Sequence, residues 1–453
     1  MKIIKICISL LVLISLSGCG LFSKCEPKDG VVCYDKSTDL FLIEEGAVLN
    51  IAVTSDAYGE AIVSLWDTTY PDYSGIVTYT VVDDPSAIYY HDNPGYDLIY
   101  ISETELPMIM DEVLELDDNT VESFDHYIVS SFGDVINSSA YIFTPLTYDG
   151  FLFAYDETIL NKMNISLEDS DNDGLPDSID TWEEIFQHLT AYNANRLSTD
   201  VEFMFPFEFN EKYSFYSMLT AGDWQMFTSL VASDPGFDSP EFQESLLFIY
   251  DLGKYDWDME TIIDSDEYTF KYEDVLADQS SPMTMIAQWM YYREYETLTG
   301  SDYRFAHMPS FAGNILTPLV SINGYAISAN TSYPSAANQL MTMLRSKAGL
   351  EILLNNTNLI PIIKITDDLD IEITDQNKYD MIKAYAYSVT EPLIALSSDT
   401  TIRAWQMYYD CDWMSVIKQL YDHKITVTQA QDQISQMADN WLIEKGEIET
   451  SNE

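Results

Sequence analysis

An apolar stretch of strand length, VLNIAVTS at residues 48–55, runs into the helix-period pattern YGEAIVSLWDTTYPDYSG, and a second strand, IVTYTVV, follows at residues 76–82. This order constrains the fold more than any other feature. Two strands joined through a helix lie parallel and need helices to cover their faces. The same kind of segment returns at YDLIYIS (96–102), at YIFTPLTYDGFLFAYDETIL (141–160), and far downstream at SPMTMIA (281–287) and LVSINGYAIS (319–328). Helical periods fill EFQESLLFIYDLGKYD, YPSAANQLMTMLRSKAGLEILLNN and a C-terminal run over about 378–444. The chain therefore reads as α/β, with no repeat of roughly 20 to 50 residues and no low-complexity tract.

At 453 residues the chain is too long for one ordinary core, so two domains, or one domain split into two lobes, are expected. Hydrophobic residues make up 47% and aromatics 13%, enough apolar surface to fold despite a net charge of -54. That charge argues against nucleic acid and anionic lipid as partners, because neutralising phosphates takes clustered Lys and Arg, and the chain has only 21. Adaptation to a salty medium, which screens self-repulsion, is one origin for such acidity.

The chain begins MKIIKICISLLVLISLSGCG: Lys2 and Lys5, an apolar run over 6–16, then small residues. This is the pattern of a secretory signal, and the run is too short for the roughly 20 residues that a spanning helix needs. The segment LSGC at 16–19 resembles the lipobox of bacterial lipoproteins. That resemblance implies a signal peptide at 1–18, a diacylated Cys19, a tether over 19–47 and a location on the extracellular face of the cell membrane. Loss of Lys2 and Lys5 would take the net charge to -56. Cys7 leaves with the signal, while Cys25 and Cys33 flank EPKDGVV and are placed for a small extracellular disulfide. Cys411 is left over, and a buried, inert thiol is expected.

The stretch DSDNDGLPDSID, 169–180, fills each slot of a twelve-residue calcium loop. Asp169, Asp171 and Asp173 stand at positions 1, 3 and 5, Gly174 at the sharp turn, Leu175 at the carbonyl position, and Asp177 and Asp180 at 9 and 12. Hard oxygen donors on a flexible loop suit Ca²⁺ better than Mg²⁺. Asp in place of Glu at the last position is closer to dockerin and thrombospondin-type loops than to an EF-hand. A solvated acidic turn is the alternative, although so many carboxylates repel one another without a cation. Thr181 with Glu184 reads as a capping box that opens the next helix.

Taken together, TPLTYDGFLFAYDETIL, DTWEEI, SPMTMIAQWMYY and MPSFAGNILTPLVSINGYAISANTSYPSAANQLMTMLRSKAGLEIL resemble family 1 extracellular solute-binding proteins, the maltose-binding-protein group, over about 48–445. The resemblance implies two hinged α/β lobes of the type II periplasmic-binding fold, with a ligand cleft between them. Lobe 1 would comprise 48–147 and 319–372, lobe 2 148–318 and 373–445, and 446–453 a tail. It also implies that a carbohydrate is captured and delivered to an ABC-type permease, without catalysis, by a protein expected to be monomeric.

Matched motif to motif, Trp289 falls at the family's sugar-stacking position and Asp149, with its neighbour Tyr148, at a hydroxyl-binding acid. Tyr213 and Phe215 fall near its aromatic platforms, and Trp405 near a C-terminal stacking ring. Independently, Ser55, Asp56 and Tyr58, and then Glu103, follow the carboxyl ends of strands, where open α/β sheets bind ligands. Asn323 and Gly324 offer an amide and a bare backbone. Core packing or a surface turn is the alternative for each. ETELP after YDLIYIS departs from the maltodextrin pattern. A polyamine receptor, an exported glycosidase and a surface protein without a small ligand compete; the chain shows none of the HExxH, GxSxG, phosphate-loop or zinc spacings.

Overall fold

The computed structural model describes residues 25, 27, 30–82, 95–102, 109–122, 142–195, 201–206, 212–226, 236–255, 272–363, 371–387, 391–392 and 406–445. A hairpin of β1 (Tyr34–Asp35) and β2 (Leu40–Phe41) precedes the expected first strand, so 19–47 is not a bare tether: it is folded from Gly30 onward. β3 (Leu49–Val53) leads through α1 (Asp56–Thr69) to β4 (Val77–Val81), and β3 pairs in parallel with β4 and with β5 (Leu98–Ser102). α1 is held to this sheet by Tyr58, Ile62 and Trp66, one helical stripe at i, i+4 and i+8 and at most 1% exposed. Each such side chain contributes about 1.5–3 kcal/mol by leaving water.

A short helix, α2 (Asp118–Glu122), precedes β6 (Thr144–Asp156), thirteen residues long and the axis of the molecule. Over its first half β6 lies antiparallel to β11 (Leu319–Ile327) and to β12 (Ile360–Pro361). From Phe151 onward its partners are β7 (Met283–Ala287) and β8 (Tyr303–Ala306) instead, and a small hairpin of β9 (Ser310–Phe311) and β10 (Asn314–Ile315) follows β8. One strand thus serves two ladders, which hand over between Gly150 and Phe151. The first ladder continues through β11 to β5, β3 and β4, and with its helices is called lobe 1; the second ladder with its helices is called lobe 2. Where β11 passes β6, its register shifts between Asn323 and Gly324. A Cβ on Gly324 would lie 1.9 Å from the Thr144 carbonyl oxygen, so this close strand approach requires glycine.

Lobe 2 packs α3 (Glu157–Lys162), α4 (Trp182–Asn195), α5 (Lys212–Leu219), α6 (Pro240–Tyr255), α7 (Tyr272–Asp278) and α8 (Tyr292–Thr299) around the second ladder. Its core is aromatic, with the Trp182 ring 5.1 Å from both Phe205 and Phe248. The capping box is present: Thr181 accepts from the Glu184 backbone N–H at 3.2 Å, and Glu184 from that of Thr181 at 3.0 Å. Lobe 1 is completed by α9 (Pro334–Arg345) and α10 (Lys347–Asn356); α11 (Gln376–Tyr387), α12 (Trp413–Tyr421) and α13 (Val427–Lys445) lie on lobe 2. Among the described residues no helix is long and apolar enough to cross a membrane.

Candidate functional site

A strand shielded on both faces reads as an unbroken apolar run. In β6 every residue is buried except Asp149, which stands two residues before the strand's midpoint partners change. Asp149 lies opposite Ser321 on β11, and Asn323 lies opposite Thr147 on β6 and Ser102 on β5. Facing residues of paired strands share a face, so these polar groups lie together at the carboxyl edge of lobe 1. Ser102 and Ser321 are joined through their hydroxyls at 2.9 Å. Burial pushes the Asp149 carboxyl up to about 6, against the pull of hydrogen bonds from the Gln288 and Asn323 side chains.

Gln288 binds the strand crossing into the second ladder. Its Nε2 donates to an Asp149 carboxylate oxygen and, at 3.2 Å, to the Tyr148 carbonyl, while its Oε1 accepts from the Gly150 N–H at 3.4 Å. The next residue, Trp289, packs on Phe151, which shares the Asp149 face of β6 two residues on. Its ring is 50% exposed and stands edge-on to Phe151, centroids 5.2 Å apart. From α5, Tyr213 donates its hydroxyl to the Asp149 carbonyl at 2.7 Å, with its ring 6.2 Å from Phe151. A half-exposed indole face, a half-buried carboxylate and neutral hydroxyls and amides thus converge where one strand passes between two sheets. The set can hold a small polar molecule.

Residues 86–379 match the bacterial extracellular solute-binding protein family. The chain belongs to that family. Its members capture a solute outside the cell for ABC transport, and the match spans more than half of this chain. No curated protein matches the chain. The expected α/β fold is thus established for this solute-binding protein, and the match is to extracellular solute-binding proteins in general.

Several expected site residues lie elsewhere. Tyr148 is fully buried and stacked on Tyr385 at 4.8 Å, because it points to the opposite face of β6 from Asp149. Tyr58 is 1% exposed and Phe215 2% exposed, the latter packed toward Trp413; both belong to the core. Gly324 is consumed by its approach to β6. Ser55 caps α1, accepting from the Tyr58 N–H at 3.3 Å, and Asp56 is exposed beside it. That cap shares the carboxyl edge with Ser102, two strands from β11 and so about 10 Å away. Glu103 and Trp405 fall outside the described residues, as does Cys19. Gln288, Ser102, Ser321 and Phe151 were not anticipated. All four lie within the strand-like and family-like segments of the sequence, yet only the pairing of the strands shows which way they face.

The acidic loop sits at the far end of β6, where Tyr155 donates to the Gly174 carbonyl at 3.2 Å. Its donors fall into two groups, Asp169, Asp171 and Asp177, and Asp173 and Asp180 with His307, each with ligand atoms within 4.8 Å of one another. His307, from the strand end after β8, is buried, donates to the Met308 carbonyl through Nδ1 at 2.9 Å, and stands 3.1 Å from Asp173 through Nε2. Although partial burial opposes it, the carboxyl of Asp173 is held below the usual range by hydrogen bonds from His307 and the Leu175 N–H, while Asp180 is raised by burial and by Asp173. One oxygen of Asp169 is buried without a hydrogen-bond partner.

Cys25 and Cys33 are disulfide-bonded, and Cys411 is half-buried with its thiol raised by burial. A cavity of about 610 Å³ lies behind lobe 2 between α3 and α4, lined among others by Lys162, His188, Tyr192 and Gln279. His188, Tyr192 and Gln279 already bond the protein itself.

Proposed function

We propose that this protein captures a carbohydrate between its lobes and delivers it, chemically unchanged, to an ABC-type permease in the membrane to which Cys19 anchors it. The juxtaposition of the exposed Trp289 ring with the Asp149 carboxylate carries this reading. A sugar presents an apolar C–H face to an aromatic ring and hydroxyl hydrogens to a carboxylate. Asp149 is fixed by Gln288 and Asn323 before any ligand arrives, so little ordering remains to be lost on binding. Gln288 spans the crossing point, so that lobe closure and ligand contact act on the same few residues.

A polyamine is the second reading, since a carboxylate beside aromatic rings also suits an ammonium group. A thermal-shift and calorimetry panel of neutral mono- and oligosaccharides, polyamines and sugar acids separates the two. We expect stabilisation by a neutral sugar, with the sugar recovered intact. Stabilisation by polyamines alone, abolished at high salt, would replace the carbohydrate reading, and sugar cleavage would replace capture by catalysis.

The loop over 169–180 is proposed to hold a structural Ca²⁺. Asp169, Asp171, Asp173, Asp177 and Asp180 supply hard oxygen donors, and the orphan oxygen of Asp169 suits a cation. The ion would neutralise a crowded turn and fix the entry to α4. His307 would orient Asp173 from behind, as outer groups do for metal-binding carboxylates.

A further inference from the structure

The hairpin of β1 and β2 is sewn to the N-terminus of α9. The Glu44 carboxylate accepts from the backbone N–H groups of Ser335 and Ala336 at 2.6 and 3.0 Å, and the Cys33 N–H donates to the Ser335 hydroxyl at 3.0 Å. Phe41 N–H donates to Gln339 at 2.7 Å, and that side chain donates in turn to Tyr70. This collar is therefore a rigid part of lobe 1. The disulfide then ties Cys25 to buried Cys33 with Cα atoms 5.6 Å apart. Chain counting gives this bridge a second meaning. Six peptide steps separate Cys19 from Cys25, a reach of about 20 Å; without the bridge the first point fixed to α9 is Val31, twelve steps away and about 40 Å at full extension.

We infer that the Cys25–Cys33 disulfide shortens the membrane leash, holding the collar face of lobe 1 toward the bilayer and leaving lobe 2 to move. The inference rests on the lipid-anchor reading of Cys19. Residues 20–24 lie outside the described residues, and only their number enters. The collar carries Asp35, Asp39 and Glu45 against Lys36 on a chain of net charge -54, so an anionic bilayer repels it.

The test uses the lipidated full chain in phosphatidylcholine vesicles containing phosphatidylglycerol and a headgroup-attached acceptor dye. A donor dye is placed at exposed Ser37→Cys on the collar or Asp432→Cys on α13, in a Cys411→Ser background. Energy transfer from position 37 should exceed that from 432 several-fold. Cys25→Ser with Cys33→Ser should lower it at least twofold while leaving the melting curve's shape and ligand binding intact. Should that pair fail to fold, a spacer of about ten Gly and Ser residues inserted after Phe22 lengthens the leash instead and should lower transfer equally. Equal transfer from both positions, or no response to either lengthening, overturns the inference while the anchor stands. Mass spectrometry that finds Cys19 without acyl chains overturns the anchor reading and the inference with it.

Discussion

The acidic loop supplies its carboxylates from twelve consecutive residues, whereas the groups around Asp149 arrive from β5, β6, α5, the turn after β7 and β11. A loop of the first kind carries its geometry in its own spacing. A cluster of the second kind exists only if a whole sheet forms in register, because a slip of one residue turns every side chain to the other face. The two regions should accordingly fail in different ways when disturbed.

The sharpest division is expected from Trp289→Ala. Losing a central aromatic anchor should cost about 3 kcal/mol of binding, roughly a hundredfold in Kd by calorimetry. The melting temperature should hardly change, because the ring is 50% exposed. Chelation should show the converse. If free Ca²⁺ stands about a hundredfold above its Kd, removal costs about 2.7 kcal/mol and lowers Tm by several degrees with ligand affinity preserved. Loss of ligand binding on chelation would erase the contrast and direct attention to α11, where Lys383 bonds the Asn172 carbonyl and Tyr385 bonds the Gly150 carbonyl.

Proton linkage gives the third division. The Asp149 carboxyl is raised to about 6 in the folded chain from an ordinary value of 3.8. Between those values the native state holds a proton that the unfolded chain has released, so this group makes stability fall as pH rises from about 4 to 6 and then level off. Binding moves the other way, since hydroxyls donate to the carboxylate: affinity should rise with pH up to about 6, by at most tenfold per unit, and plateau above. Asp149→Asn should flatten both profiles, and a binding profile that keeps its slope in that variant would remove Asp149 from the site. The smallest effect is expected from Tyr213→Phe, which deletes one hydrogen bond to the Asp149 carbonyl and should weaken binding about fivefold, near 1 kcal/mol.

The same contrast explains what could be read from the chain. The α/β order, the parallel run of β3, β4 and β5 and the Thr181–Glu184 box were legible because propensity, pattern and capping agree locally. Asp149 and Trp289 stand out in the sequence only through a family resemblance, and their neighbours show the limit. Tyr148 adjoins Asp149, yet on a strand adjacent side chains face opposite ways. Phe215 lies two residues from Tyr213, yet on a helix that spacing turns about 200°. The resemblance gave the neighbourhood, and pairing across β6 gave the direction. His307 shows a converse gap: a residue 127 positions after Asp180 joins the loop, with no signal in either segment.

Because β6 is an inner strand of both ladders, neither half owns its own centre. A gene fragment encoding one half alone would have to carry the whole of residues 144–156, and the other half would then be missing its middle. Recombination between relatives can exchange loops and rims here, but it must inherit that segment intact, so diversification of ligand preference is confined to what hangs from it.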